Sequence, residues 1–178
     1  MTKQRVVYNL DKIKKLAKQS ISNGSVTQDY GLDIEEACGY LNEALATEIM
    51  CVLRYRHHQI IAKGIDGPQV AAEFLEHALD EERHMMLIAE RINQLGGNPD
   101  FNPATVDERT ATEYGKGRDL LKLIEEDLIA ERIAIMTYRK LIDWFGTKDS
   151  TTRRMLEEIL KDEEDHADDL SDLLITKH

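Results

Sequence analysis

Two short segments repeat a pattern that can do metal chemistry. Asp80-Glu81-Glu82-Arg83-His84 and Asp162-Glu163-Glu164-Asp165-His166 each set a Glu and a His three residues apart, which makes them neighbours on one helix face. Two further glutamates repeat as well: Glu48 is followed seven residues later by Tyr55, and Glu131 seven residues later by Tyr138. Glu48 precedes Glu81 by 33 residues and Glu131 precedes Glu163 by 32, so one constellation occurs twice at matching spacing. Together it offers four carboxylates and two imidazoles, a charge balance for two divalent ions. Such donors suit iron or manganese better than a soft thiolate site would.

A single Glu-x-x-His arises easily in an acidic chain and usually lines a solvated face. The doubling argues against that here, and so do the neighbours. Glu48 sits between Leu45 and Ile49, and Glu131 lies within Leu-Ile-Ala-Glu-Arg-Ile-Ala-Ile. A carboxylate in such apolar company is costly unless it is paired or metal-bound.

The elements that must position these groups follow from the breakers. Residues 33–63 carry apolar positions (Leu41, Leu45, Ile49, Val52, Leu53, Ile60, Ile61) near the helical period. A Gly-rich connection leads into Pro68 and a second periodic run, 69–95, stopped by Gly96-Gly97-Asn98-Pro99. Residues 98–112 read as irregular, 117–145 as a third helix closed by Gly146, and 149–175 as a fourth. Asp149, Ser150, Thr151 or Thr152 can cap that fourth helix. A short helix is expected at 9–19, ahead of a loop-like stretch from Ser20 to Gly31. Short loops within each pair make two antiparallel hairpins, and the 98–112 stretch carries the chain between them. The expected fold is all-α: a four-helix bundle with one long crossover.

Composition sets the class. With 178 residues, 42% hydrophobic and 32% charged, the chain is long enough for one domain and too apolar to be disordered. Aromatics at 6% and only three prolines argue against a β-sandwich or barrel. No apolar run approaches membrane-spanning length, and the N-terminus leads into no apolar signal core. Cys38 and Cys51 have no Cys-x-x-Cys spacing and fit small buried residues in a reducing cytoplasm. The net charge is −11, unevenly spread: residues 1–18 carry +5 and the remainder −16. A basic arm (1–31) on an acidic body (32–178) can touch a polyanion such as DNA or dock on its own body.

The doubled Asp-Glu-x-x-His motifs, Glu48 with Tyr55 and His58, and Asp-Leu-Ile-Ala-Glu at 127–131 resemble the ferritin-like di-iron superfamily. Within it the chain is most similar to bacterioferritins and bacterioferritin-like Dps (DNA-protection) proteins. The resemblance covers about residues 33–175. It implies that Glu48 and His84 bind one iron, Glu131 and His166 the other, that Glu81 and Glu163 bridge them, and that Tyr55 stands beside the metals. Bacterioferritins place a haem-ligating Met directly after the bridging Glu of the second helix; here that position is Glu82, so no haem is expected. Only 12 residues follow His166, too few to complete the fourth helix and add the fifth short helix of the larger bacterioferritin shell. This points to the twelve-subunit Dps-like shell, with the metal site inside one bundle.

The expected activity is that of a cytoplasmic ferroxidase storing iron: Fe(II) is oxidised by peroxide or dioxygen and mineralised within a homo-oligomeric, dodecameric shell. The alternatives are a Dps-type DNA-binding protein and a di-iron or di-manganese peroxidase or catalase without mineral. Asp80 and Asp162 are candidate transit ligands. His57, His58 and His77 fall outside the doubled motif and are expected at the surface or beside the site. Met50, Phe74, Met85 and Met86 suit either the core or subunit contacts.

Overall fold

The computed structural model describes residues 8–175, helical throughout its regular parts. Four long helices dominate: α2 (Ile34–Ile61), α3 (Gly67–Gln94), α5 (Leu120–Phe145) and α6 (Ser150–Ile175), joined by the short α1 (Leu10–Leu16) and α4 (Val106–Arg109). Local chemistry sets their ends. Asp33 caps α2 by accepting from the Glu36 amide, Asp119 caps α5 by accepting from that of Lys122, and Pro68 sits in the first turn of α3. Asp149 caps α6, accepting from the Thr152 amide at 2.9 Å. The third long helix starts three residues later than expected. The Glu126 carboxylate accepts from the amides of Lys116 and Gly117, holding both outside the helix.

α2 packs along α3 and α5 along α6, and the hairpins meet where α2 faces α5 and α3 faces α6. The helix stops after α3's last turn with Gly96 at φ +87° and a Gly97 amide bonded back to the Ile92 carbonyl. Gly97 is also required sterically, since a Cβ there would lie 2.6 Å from the Cys38 Sγ.

The crossover then follows α2. Asn98 and Asp100 bond to the side chain of Asn42, Ala111 to Thr47, Glu113 to Arg54, and Tyr114 stacks on His57. The four-residue α4 lies within this stretch, which the sequence marks only as irregular.

The core is split along the bundle. One apolar cluster holds Leu41, Leu45, Ile88, Ile92, Phe145 and Leu156; the other holds Tyr55, Val70, Phe74, Leu123, Ile124 and Leu170. Each fully buried large apolar side chain contributes about 1.5–3 kcal/mol. Between the clusters every long helix contributes a polar residue to one buried layer. Met50 and Phe74 belong to the buried interior, whereas Met86 is exposed. Leu53, Ile60 and Ile129, read from the sequence as members of apolar stretches, face outward on this single chain. α1 buries none of its residues. Of the basic arm, Lys3 and Arg5 lie outside the described residues, as do the last three residues, on which the expected absence of a fifth helix partly rests.

Candidate metal centre

The buried polar layer consists of Glu48 from α2, Glu81 and His84 from α3, Glu131 from α5, and Glu163 and His166 from α6, all at most 4% exposed. They form two groups of four: Glu48, Glu81, His84 and Glu163; and Glu81, Glu131, Glu163 and His166. Within each group the donor atoms lie within 4.8 Å of one another. Glu81 and Glu163 belong to both groups, the geometry a bridging carboxylate needs, while Glu48 with His84 and Glu131 with His166 sit at opposite sides.

Both imidazoles turn the same nitrogen inward. His84 Nδ1 lies 3.1 Å from Glu163, 3.4 Å from Glu81 and 3.7 Å from Glu48. His166 Nδ1 lies 3.8 Å from Glu81 and 4.0 Å from Glu131. Their outward nitrogens find aspartates on the opposite helix: His84 Nε2 is 3.3 Å from Asp162, and His166 Nε2 is 3.5 Å from Asp80. A proton on Nε2 directed at the aspartate leaves Nδ1 free to act as a donor atom, the usual way an outer carboxylate orients a ligating histidine. Arg83 donates to both aspartates. The residues read from the sequence as transit groups thus hold the imidazoles.

The tyrosines cross in the same way. Tyr55 on α2 donates to Glu131 on α5, and Tyr138 on α5 donates to Glu48 on α2. Burial, reinforced by adjacent carboxylates, pushes both phenols well above their ordinary pKa, so they remain donors.

The electrostatics follow from crowding four carboxylates and two imidazoles into one buried layer. Burial and then the neighbouring carboxylates push Glu81 and Glu163 well above the ordinary glutamate range. Burial opposes charge on His84, but Glu48 and Glu81 outweigh it and raise the imidazole to about 10. Glu48 Oε2, Glu81 Oε1, Glu131 Oε2, both oxygens of Glu163 and His166 Nδ1 are buried without a hydrogen-bond partner. Orphaned groups at this density cost about 1–3 kcal/mol each, and two divalent cations would satisfy them together.

Sequence reading left three groups outside the site that pack against it or beside it. His77 is buried, stacks on His166 with ring centroids 4.0 Å apart, and presents Nδ1 to the Tyr55 hydroxyl at 3.2 Å. Burial, and next the charge of His166, push it down to about 3. His58 is buried against Asp127 at 2.8 Å, and Arg54 donates to the other oxygen of Asp127 at 2.7 Å. His57 is the partly exposed one. The match of Tyr138 to Tyr55 in the repeat, and the resemblance that took in His58 and Asp127, were visible beforehand. Glu82 lies on the outer face, 3.6 Å from Arg56. Both cysteines are free and buried.

Residues 38–176 match the ferritin-like domain, and the chain belongs to that family. It is 30% identical over 137 residues to a nutrient stress-induced DNA-binding protein of a Synechococcus species, spanning 74% of this chain and 77% of that one. It is 29% identical over 130 residues to a bacterioferritin of Desulfovibrio desulfuricans, spanning 71% and 67%. Among solved structures, the bacterioferritin-related protein of Bacteroides fragilis, described as a dodecameric thioferritin, superposes with a TM-score of 0.79 at 33% identity, covering 82% of this chain and 88% of that one. No helix among the described residues is long and apolar enough to cross a membrane.

Proposed function

We propose that this chain is a ferroxidase that stores iron as Fe(III) in a shell of its own copies. The observation that carries this reading is the pair of four-membered donor groups sharing Glu81 and Glu163. Two Fe(II) ions are the substrate. Glu48 with His84 would hold one, Glu131 with His166 the other, and the shared carboxylates would span both. Each Fe(II) gives up one electron. Peroxide accepts both and, with two protons, leaves as two waters; dioxygen accepting the same pair with two protons leaves as peroxide. Tyr55 and Tyr138 keep the outer carboxylates oriented, while Asp80 and Asp162 keep the imidazole Nδ1 atoms aimed inward. Two free cysteines fit a reducing cytoplasm.

Anaerobic Fe(II) loading followed by stepwise peroxide or dioxygen tests the reading. Fe(III) should form rapidly for the first two equivalents per chain, and uptake should then continue far beyond two. Uptake that stops at two would instead identify a di-iron or di-manganese peroxidase or catalase.

A second reading, DNA binding, draws on the basic N-terminal segment, whose Lys12, Lys14, Lys15 and Lys18 are mostly exposed, and on the DNA-binding relative. The body's strong negative charge opposes it. A duplex mobility shift that weakens steeply with salt and disappears on deleting residues 1–18 would establish it.

A further inference from the structure

One buried donor beside the dinuclear layer is left over. His77 is 1% exposed, and its Nε2 has no hydrogen-bond partner among the described residues. That nitrogen lies near two carboxylates, Glu73 Oε1 at 3.4 Å and Asp169 Oδ2 at 3.9 Å, while the imidazole also has a donor atom within 4.8 Å of donors on Glu131 and His166. Among the described residues, no lysine or arginine forms an ion pair with either carboxylate. All three side chains offer donor atoms within 4.8 Å of one another. His77 and Asp169 line an acidic depression of about 230 Å³ that Asp80, Asp165 and His166 also border.

We propose that Glu73, His77 and Asp169 form a separate site for one divalent cation of borderline softness, beside the depression that His77 and Asp169 line. The spacing fits. Two donors each about 2.0–2.1 Å from a shared tetrahedral ion lie roughly 3.3 Å apart, close to the His77–Glu73 separation, and a small rotation of the exposed Asp169 closes the third edge. One imidazole and two carboxylates suit Fe(II), Zn(II) or Mn(II), and the half-open side leaves room for water as the remaining ligand.

The site is wired to the buried centre. A cation on Nε2 requires the imidazole proton to sit on Nδ1, where it donates to the Tyr55 oxygen 3.2 Å away. Tyr55 in turn must donate to Glu131, as it does. Occupancy of the outer site therefore favours the hydrogen-bond direction that orients a carboxylate of the inner one. Linkage makes this reciprocal: a filled inner site favours the outer cation by the same factor.

Zinc, redox-inert and able to use these donors, is the probe. Crystals of the full-length protein soaked in zinc chloride, with diffraction measured on both sides of the zinc edge, should show a peak within about 2.2 Å of His77 Nε2 and of both carboxylates, besides two peaks between Glu81 and Glu163. Glu73→Gln and Asp169→Asn, both at positions open to solvent, should each remove the outer peak and keep the inner two. In solution, competition with a chromophoric chelator should show one zinc equivalent per chain weakened about tenfold or more by either variant. No peak at His77 Nε2 while the inner positions are filled overturns the proposal. A peak joining His77 to Glu131 and His166 also overturns it, as does an undiminished outer peak in either variant. An outer peak with empty inner positions supports this site and sinks the dinuclear reading instead.

Discussion

At the scale of the residue, the centre is built from groups that stabilise nothing on their own. Glu81 and Glu163 are held above their ordinary pKa by burial and by each other's neighbours. In the metal-free protein a carboxyl with a raised folded-state pKa keeps its proton where the unfolded chain has lost it. Stability therefore falls as pH rises from the ordinary value of 4.5 toward the raised one. Glu81→Gln should raise the melting midpoint of metal-free protein at pH 8 by roughly 2–8 °C, equivalent to about 1–2 kcal/mol, with little change near pH 4.5. The same variant should lose the share of metal stabilisation that the two inner positions give the parent, about 4 kcal/mol per site at a thousandfold excess over Kd. Calorimetry with and without metal checks both, and an unchanged response to metal would refute the bridging role. The crossed tyrosines supply a second prediction. Tyr55→Phe and Tyr138→Phe should each slow the initial Fe(II) oxidation about 10–100-fold, by similar factors because the two positions are equivalent. Stopped-flow absorbance would show it, and a large effect of one alone would break the proposed symmetry. Glu82 offers no thioether and pairs with Arg56, so protein expressed with excess haem should show no Soret band; a stoichiometric one would place a Met from another register on the haem.

At the scale of the element, each long helix carries apolar residues at both ends and ligand-type residues midway, so helix ends must be pinned to keep the polar layer level. Asp149 does this for α6. It caps the helix through Thr152, accepts from Tyr30 at 2.8 Å, and takes a forked pair of bonds from Arg91 at 2.9 and 3.0 Å. Burial opposes its charge, but Thr152, Tyr30 and Arg91 together hold its pKa below the usual 3.8. A lowered carboxylate pKa gives stability that is present above 3.8 and disappears as pH falls through the lower folded value. Asp149→Ala should cost about 2–4 kcal/mol at pH 7, from the lost cap and an Arg91 left without its partner. The deficit should shrink at pH 2–3, a range set by ordinary carboxylate protonation. Denaturant titrations at the two pH values would show this; equal deficits at both would mean the ion pair contributes nothing.

At the scale of the whole molecule, storage demands a closed shell, because a lone bundle of this size has no room for mineral. The exposed Leu53, Ile60, Ile129 and Met136 on α2 and α5 and Met86 on α3 are apolar surface available for contacts between copies. A dodecamer of the 20.4 kDa chain would have a mass of about 245 kDa. Light scattering should find that mass; twice the value would indicate the larger bacterioferritin-type shell, and a monomer or dimer would sink the storage reading.

The helices, their order and the doubled ligand-type motif were readable from the chain alone. Helical periodicity and the breakers at Gly96-Gly97 and Gly146 are local facts, and a repeat of Glu, Glu-x-x-His needs no coordinates to be seen. What the sequence could not supply is which groups from different helices meet. The crossing of Tyr55 to Glu131 and Tyr138 to Glu48, and of Asp162 to His84 and Asp80 to His166, depends on how the two hairpins face each other. Periodicity fixes only the angle of a residue around its own helix. His77 is the clearest case. It lies one turn before Glu81 on α3, so its face was known, but its burial is set by α6 bringing His166 and Asp169 over it. Leu53 and Ile60 show the converse: they match the helical period, yet no element among the described residues covers them.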